Sequence, residues 1–172
     1  MRARWLTFSL LAGLAACGPQ RNEFAPACPT PGLVKPLDEL TRSRGGSPDF
    51  RDLAIRARIA DVGGKCSPGG KNTVNVSVQV IADATRGPAL NGDTFQLPMF
   101  VAVSDGVNVL DKKLFFVPVT FPRNVDTARA VGPEIEMSLP VSSTRTAAAY
   151  GIVAGFELTP EEVAAARRAR RR

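Results

Sequence analysis

The feature that most constrains the fold of this chain is a run of strict alternation between apolar and polar residues. From Val74 to Val80, four valines are separated by asparagine, serine and glutamine. Successive side chains of a β-strand point to opposite faces, so a period of two predicts a strand with one buried and one wet face. β-branched side chains fit such a half-buried surface. The run therefore predicts a strand in a sheet that covers a core.

Other segments repeat this pattern. Residues 53–60 alternate in the same way, and we predict that they form an antiparallel hairpin with the valine strand. Gly63-Gly64 and the stretch 67–70 are predicted to form the loop between them. Residues 135–139 alternate again, and residues 150–158 form the last predicted strand, whose two glycines suggest a bulge or a close neighbouring backbone.

Asp105-Gly106 stands between two apolar runs, which is a strong hairpin signal. The outgoing strand runs from Val107 to Val119. Pro118 cannot donate a hydrogen bond to a neighbouring strand, and Lys112-Lys113 place charge in mid-strand. Both features are typical of an exposed edge, so we predict that this strand lies at the side of its sheet.

Six or more short strands without intervening helices predict an all-β antiparallel domain over residues 51–158. We expect a sandwich of immunoglobulin or fibronectin type III style, with a small β-barrel as the alternative. Residues 159–172 are predicted to form a short helix and an arginine-rich tail. Thr159 is placed to cap that helix, Pro160 to begin it and Glu162 to complete a capping box.

The first residues have the layout of a secretory signal. Arg2 and Arg4 precede an apolar run from Trp5 to Leu14, which is too short to span a bilayer as a stable helix. Leu14-Ala15-Ala16-Cys17 then resembles the lipobox of bacterial lipoproteins. The resemblance implies that residues 1–16 are cleaved and that Cys17 carries a covalent diacylglycerol and an N-acyl chain. Several acyl chains make a stable membrane anchor.

The same resemblance implies a location in the cell envelope. Gly18, rather than an aspartate, follows the cysteine, which favours the outer membrane with the domain facing the periplasm. The rest of the chain resembles proteobacterial envelope lipoproteins with a β-sandwich domain. The likeness consists of a cysteine pair, an Arg-Gly-Pro loop and an aromatic last strand leading into an arginine-ending helix, and it brings no activity with it.

Residues 17–50 are rich in proline and glycine, which predicts a tether that is partly ordered from Cys28 onward, with one helical turn over residues 37–40. Cys28 and Cys66 remain once Cys17 is lipidated, and an even pair in an oxidising compartment predicts a disulfide. Two free buried thiols or a metal site are the alternatives. The chain has no histidine to complete a metal site.

The charge is concentrated at the chain ends. The chain has 22 basic and 16 acidic residues, but Arg2 and Arg4 leave with the signal. Five further arginines stand at the C-terminus: Arg167, Arg168, Arg170, Arg171 and Arg172. The body is therefore close to neutral, and no nucleic-acid partner is expected. The tail could contact anionic lipid headgroups, lipopolysaccharide phosphates or an acidic protein; a solvated terminus is the alternative.

The absence of histidine removes Ser-His-Asp and Cys-His catalysis. Glu134 and Glu136 share one strand face and could act as paired carboxylates, although a solvated strand face explains them better. Ser104 could pair with Lys112 or Lys113 across the predicted hairpin, but no motif supports this. We therefore expect no catalytic residues.

Asp105, Asn108 and Asp111 could offer oxygen ligands to calcium. Their spacing does not fit an EF-hand loop, and turn formation explains them better. No metal site and no cofactor beyond the lipid are therefore expected.

We expect a lipoprotein without enzymatic activity that is anchored in the membrane through its lipid. Its β-sandwich would contact an envelope protein in cell-envelope assembly or maintenance, through the strand from Val107 to Val119 and the terminal helix. The alternative is a module that binds a lipid, glycan or small hydrophobe between the sheets. Four aromatic residues would line that site: Phe115, Phe116, Phe121 and Phe156. A peptidoglycan-acting enzyme is the third hypothesis.

Overall fold

The computed structural model describes residues 28–170, so the lipobox with Cys17 and the last two arginines, Arg171 and Arg172, lie outside the described residues. The described residues form the strands β1 (Pro31–Leu33), β2 (Glu39–Ser43), β3 (Leu53–Pro68), β4 (Thr73–Arg86), β5 (Thr94–Ser104), β6 (Val109–Thr120), β7 (Thr127–Val131), β8 (Ile135–Pro140) and β9 (Gly151–Phe156). The helix α1 follows at Pro160–Ala169, and short 3-10 helices cover Arg44–Gly46, Phe50–Asp52 and Ala147–Ala149.

Within residues 28–170 the strands form two sheets. The first has the order β1-β9-β5-β6, and the second has the order β2-β3-β4, with β7 and β8 pairing with successive parts of β4. The expectation of a sandwich-like β domain with a short C-terminal helix is confirmed. The immunoglobulin or fibronectin type III style stays a prediction. All pairs are antiparallel except β1 with β9.

The core lies between the two sheets and follows from the alternation. Val76 and Val78 on β4 are fully buried, as are Leu97 on β5 and Phe156 on β9. The intervening residues of β4 point to the opposite, more accessible face. The inward side chains of both sheets therefore form the hydrophobic core. Strands with a period of two place every second side chain there.

Two local predictions are wrong. Gly63 and Gly64 lie inside β3, which continues to Pro68, because each is paired with a residue of β4. The helical turn predicted over residues 37–40 is replaced by a turn that ends in β2, since Leu40 is fully buried in the core and pairs with Ala57. In both places the ladder of a neighbouring strand overrides the local preference.

The sheets also begin before the predicted boundary at residue 51. β1 and β2 lie in the segment predicted as a partly ordered tether, and each forms the edge of one sheet. The connection between them bonds to both sheets, because Leu37 O accepts from Phe156 N and Asp38 O accepts from Ile59 N. The domain therefore includes the segment from β1 onward.

Three connections lie together at one end of the sandwich, here called the tip end: the turn 69–72, the turn 105–108 and the loop 141–150. Val141 N donates to Asn72 O, and Arg145 lies 3.9 Å from Asp105, so each contact joins two of these connections. The start of β3 and the connections 87–93 and 121–126 lie at the opposite end, called the far end. Each surface feature described below is assigned to the tip end or to the far end.

The terminal helix lies along β2. Thr159 and Glu162 form the predicted capping box, which is confirmed. Arg42 of β2 donates to Glu162 at 2.9 Å, and Arg170 at the helix end lies 2.6 Å from Asp38. The helix therefore runs back along this edge of the second sheet. One ion pair near its start and one at its end join it to β2 and to the residue before β2.

Candidate interaction surface

The strand β6 forms a free edge of the first sheet. Within residues 28–170 it pairs with β5 and with no other strand. At twelve residues it is much longer than β1, and unlike β2 it has no helix bridged to it by ion pairs among the described residues. The prediction that this strand lies at an edge and carries Pro118 there is confirmed.

The outward side of β6 is apolar. Val117 and Val119 point into the core and are buried, whereas Leu114 is 60% exposed and Phe116 is 68% exposed. The outward residues Lys112, Leu114, Phe116 and Pro118 are here called the β6 face. The inward residues of β6 are covered by the core. Leu114 and Phe116 on the outward side have no covering layer among the described residues.

The two lysines of β6 are held by other groups. Lys112 Nζ lies 2.6 Å from Glu157 Oε2 and 4.6 Å from the centre of the buried Phe100 ring, so its aliphatic stem lies against the sheet. Lys113 points to the opposite side and donates to the backbone oxygen of Glu136. Neither lysine bonds to Ser104 in the described structure, so the Ser–Lys pair considered from the sequence is not brought together.

The hairpin tip and the first two residues of β6 carry further exposed apolar side chains. Val107 is 90% exposed, Val109 is 67% exposed and Leu110 is 49% exposed. Asp105 shapes the turn, because its Oδ1 accepts from the backbone N–H groups of Asn108 at 2.8 Å and of Val107 at 3.1 Å. These bonds, that of Asn108 first, lower the pKa of Asp105 because they favour the ionised carboxylate.

Neither the calcium ligands nor the paired carboxylates considered from the sequence form an assembled site among the described residues. No group of three or more histidine, cysteine, aspartate or glutamate residues that could hold a metal occurs among residues 28–170. Glu134 accepts from Ser77 Oγ at 3.0 Å and lies 3.7 Å from Lys65 Nζ. The side chain of Glu136 makes no recorded hydrogen bond or ion pair in the described part of the chain. The structure therefore places Glu134 in a polar outer row of the second sheet.

The cysteine pair is at bonding distance. Cys28 Sγ and Cys66 Sγ are separated by 1.97 Å, with Cα atoms 5.8 Å apart, which fits the disulfide predicted from the sequence. Cys66 stands two residues before the end of β3, near the turn 69–72. The bond therefore fixes the first described residue of the chain at the tip end.

The four phenylalanines do not come together at a cavity. Phe121 and Phe156 are fully buried in the core, Phe115 is half-buried and Phe116 points outward. Two depressions in the surface of the described residues have other linings. One is a shallow depression of about 470 Å³ over β4 and β7, and the other, of about 400 Å³, lies beside Phe50 at the far end.

Three residues that line the first depression, Arg58, Asp83 and Arg129, belong to a row of alternating charges that the sequence did not reveal. Glu39, Arg58, Asp83 and Arg129 occupy aligned positions on β2, β3, β4 and β7. The hydrogen bond from Arg129 at 2.8 Å lowers the pKa of Asp83, and the positive charges of Arg129 and Arg58 act in the same direction. The row depends on the register of four strands, so no local signal could have revealed it.

The arginine tail is described in part. Arg167 and Arg168 are exposed on α1, and Arg170 lies 2.6 Å from Asp38 and 3.8 Å from Glu39. Arg167 and Arg168 therefore carry charge that no ion pair within residues 28–170 balances. Arg170 instead joins the helix end to the segment before β2.

Comparison with family models, with curated proteins and with solved structures finds no match to this chain. In the described part of the chain, no helix has the length and apolar character needed to cross a bilayer.

Proposed function

We propose that this chain is a lipoprotein of the cell envelope, anchored through Cys17 and facing the periplasm from the outer membrane. Its β-sandwich makes protein contacts in envelope assembly or maintenance, without enzymatic activity. The lipobox-like start of the chain supports the anchor. The paired Cys28 and Cys66 support an oxidising compartment. An immunoglobulin or fibronectin type III relationship of the sandwich is part of this proposal.

The β6 face is the observation that carries the contact role. Leu114 and Phe116 stand on a strand whose outer edge is unpaired within residues 28–170. A partner strand that adds to this edge gains main-chain hydrogen bonds, and its side chains cover the exposed apolar pair. Aromatic residues in the centre of such a contact supply much of the binding free energy. Phe116 is therefore the expected anchor of the interface.

The chain supplies a matched control for this role. Phe50 is 71% exposed, close to the 68% of Phe116, but it lies at the far end beside the connection 87–93. A photo-crosslinking phenylalanine analogue placed at either position in the full-length protein tests the β6 face in living cells. We expect a discrete crosslinked protein from position 116 that is absent from position 50.

The crosslink must also depend on the surface itself. With the analogue at position 116, Leu114→Ser should reduce the product, whereas Phe50→Ser should leave it unchanged. Equal products from positions 50 and 116, or no product from position 116, would contradict the contact role. Failure of cells to attach a labelled fatty acid to the wild-type chain, with Cys17→Ser as the control, would contradict the anchor.

The terminal arginines extend the proposal to an anionic partner group. Arg167 and Arg168 are exposed, and guanidinium groups bind phosphate and carboxylate oxygens through paired hydrogen bonds. Removing residues 167–172 should weaken binding to vesicles that contain anionic lipid, measured by co-sedimentation. Unchanged binding would leave these arginines without that role.

A further inference from the structure

The chain enters the domain at the tip end. β1 begins at Pro31, which pairs with Ile152 near the start of β9, and β9 follows the loop 141–150. Cys28 is bonded to Cys66 near the end of β3. Cys28, the first described residue, therefore lies at the tip end near the turn 69–72, at the opposite end of the sandwich from Phe50.

The length of the connecting chain limits how the domain can stand on a membrane. Eleven peptide units separate Cys17 from Cys28, and they span at most about 40 Å when fully extended. The part of β3 from Leu53 to Cys66 measures roughly 43 Å at the usual rise of a strand. A domain resting on its far end would therefore need a connection of about the full extended length or more, whereas contact through the tip end needs almost none of it.

The tip end presents apolar side chains in the position where lipid would meet them. Val107 projects from the hairpin tip with 90% of its surface exposed, and Val109 and Leu110 follow it at 67% and 49%. The carboxylate of Asp105 accepts from two backbone N–H groups of the same turn through Oδ1, and its Oδ2 lies 3.9 Å from Arg145, so its charge is offset within the tip end. Lys71 on the adjacent turn is exposed and adds a cation at the same end.

From this arrangement we infer that the tip end rests on the bilayer that holds the anchor, with Val107, Val109 and Leu110 in contact with lipid. The inference depends on the proposed lipid anchor at Cys17 and adds to it an orientation and a second point of attachment. Exposed apolar surface favours transfer out of water, and an anionic headgroup attracts a nearby lysine. The β6 face, further along the strand, stays directed sideways toward a protein partner.

Tryptophan provides the probe, because the chain has one tryptophan, Trp5, in the segment predicted to be cleaved. Val107→Trp and Phe50→Trp place the same fluorophore at the tip end and at the far end of the full-length, lipid-anchored protein. Each variant is reconstituted in vesicles of phosphatidylethanolamine and phosphatidylglycerol with brominated acyl chains, which quench tryptophan that touches them. We expect Val107→Trp to lose most of its emission and Phe50→Trp to keep it.

Three outcomes would overturn the inference: equal quenching at both positions, no quenching at position 107, or a blue-shifted Val107→Trp emission that depends on protein concentration before vesicles are added, which indicates contact with a second copy. Val109→Trp repeats the test should the first variant disturb the turn. The mass of the N-terminal peptide separates the two proposals. A lipidated protein without quenching contradicts only the orientation, whereas an unlipidated protein that stays in solution contradicts the anchor.

Discussion

Replacing Gly87 by alanine should destabilise the whole domain. Gly87 follows β4 and passes directly over the start of β3, where its N–H donates to Ala54 O at 2.9 Å. A Cβ atom added at Gly87 would lie 2.1 Å from Leu53 O and 2.6 Å from the carbonyl carbon of the same residue. Both are backbone atoms of a paired strand, so no side-chain rotation can relieve the overlap.

The size of the effect follows from the contacts that must give way. Non-bonded heavy atoms settle at roughly 3.5 Å, so the segment has to move away from β3 by about 1 Å or more. That movement breaks the bond from Gly87 to Ala54 and strains the bond from Ala89 N to Leu53 O, which is also 2.9 Å long. Each buried backbone group left unpaired costs about 1–3 kcal/mol, so the loss should be about 2–6 kcal/mol. The melting temperature should fall by roughly 2–4 °C for each kcal/mol.

Gly63→Ala is the matched control, because a Cβ at Gly63 meets nothing within 4 Å. This variant should be neutral or stabilised by up to about 1 kcal/mol, through the smaller entropy of its unfolded chain. Guanidinium chloride unfolding of the disulfide-intact proteins measures both free energies. If Gly87→Ala unfolds at the same denaturant concentration as wild type, the argument from close backbone approach is wrong.

Three further changes test the remaining parts of the structure. Replacing Cys28 and Cys66 together by serine should lower the free energy of unfolding by about 4 kcal/mol in the chain-entropy model, and an unchanged denaturation midpoint would show that the bond does not constrain the chain. Tyr150→Phe removes a 2.7 Å hydrogen bond to a backbone carbonyl and should cost about 1 kcal/mol, measured by the same unfolding curves. The pKa of Asp83 is lowered by Arg129, so its contribution to stability is present above the unfolded pKa near 3.9 and is lost as the pH falls through the lower folded pKa. Asp83→Asn should therefore flatten the pH dependence of stability below about pH 4, and an unaltered acid unfolding profile would contradict that reasoning.

The elements predicted well from sequence are those whose signals are local. The valines of β4, the Asp105-Gly106 turn and the capping box at Thr159 each lie within a few residues, and each takes the expected form. The period of apolar residues and the residues of a turn are properties of short segments. These elements can therefore be predicted without knowledge of the partner strands.

The elements that were missed depend on distant partners. The inward residues of β7, Ala128 and Ala130, are small and carry little strand preference, and the segment is a strand because β4 pairs with it. Gly63 and Gly64 have weak strand preference, yet a complete ladder from β4 holds them. The shift in register between Ile59 and Asp61 changes which residues face the core beyond that point. None of these pairings is encoded within the segment that adopts them.

The surface of β6 illustrates the same limit. Residues 114–119 of β6 are apolar throughout, so the sequence does not say which side of this part of the strand is buried. The structure directs Val117 and Val119 inward and leaves Leu114 and Phe116 outside. A strand at the centre of a sheet with layers on both faces would need such a composition, but β6 lies at an edge of a two-layer sandwich. Its composition fits a third layer that the described residues do not supply, and a partner bound at the β6 face would supply it.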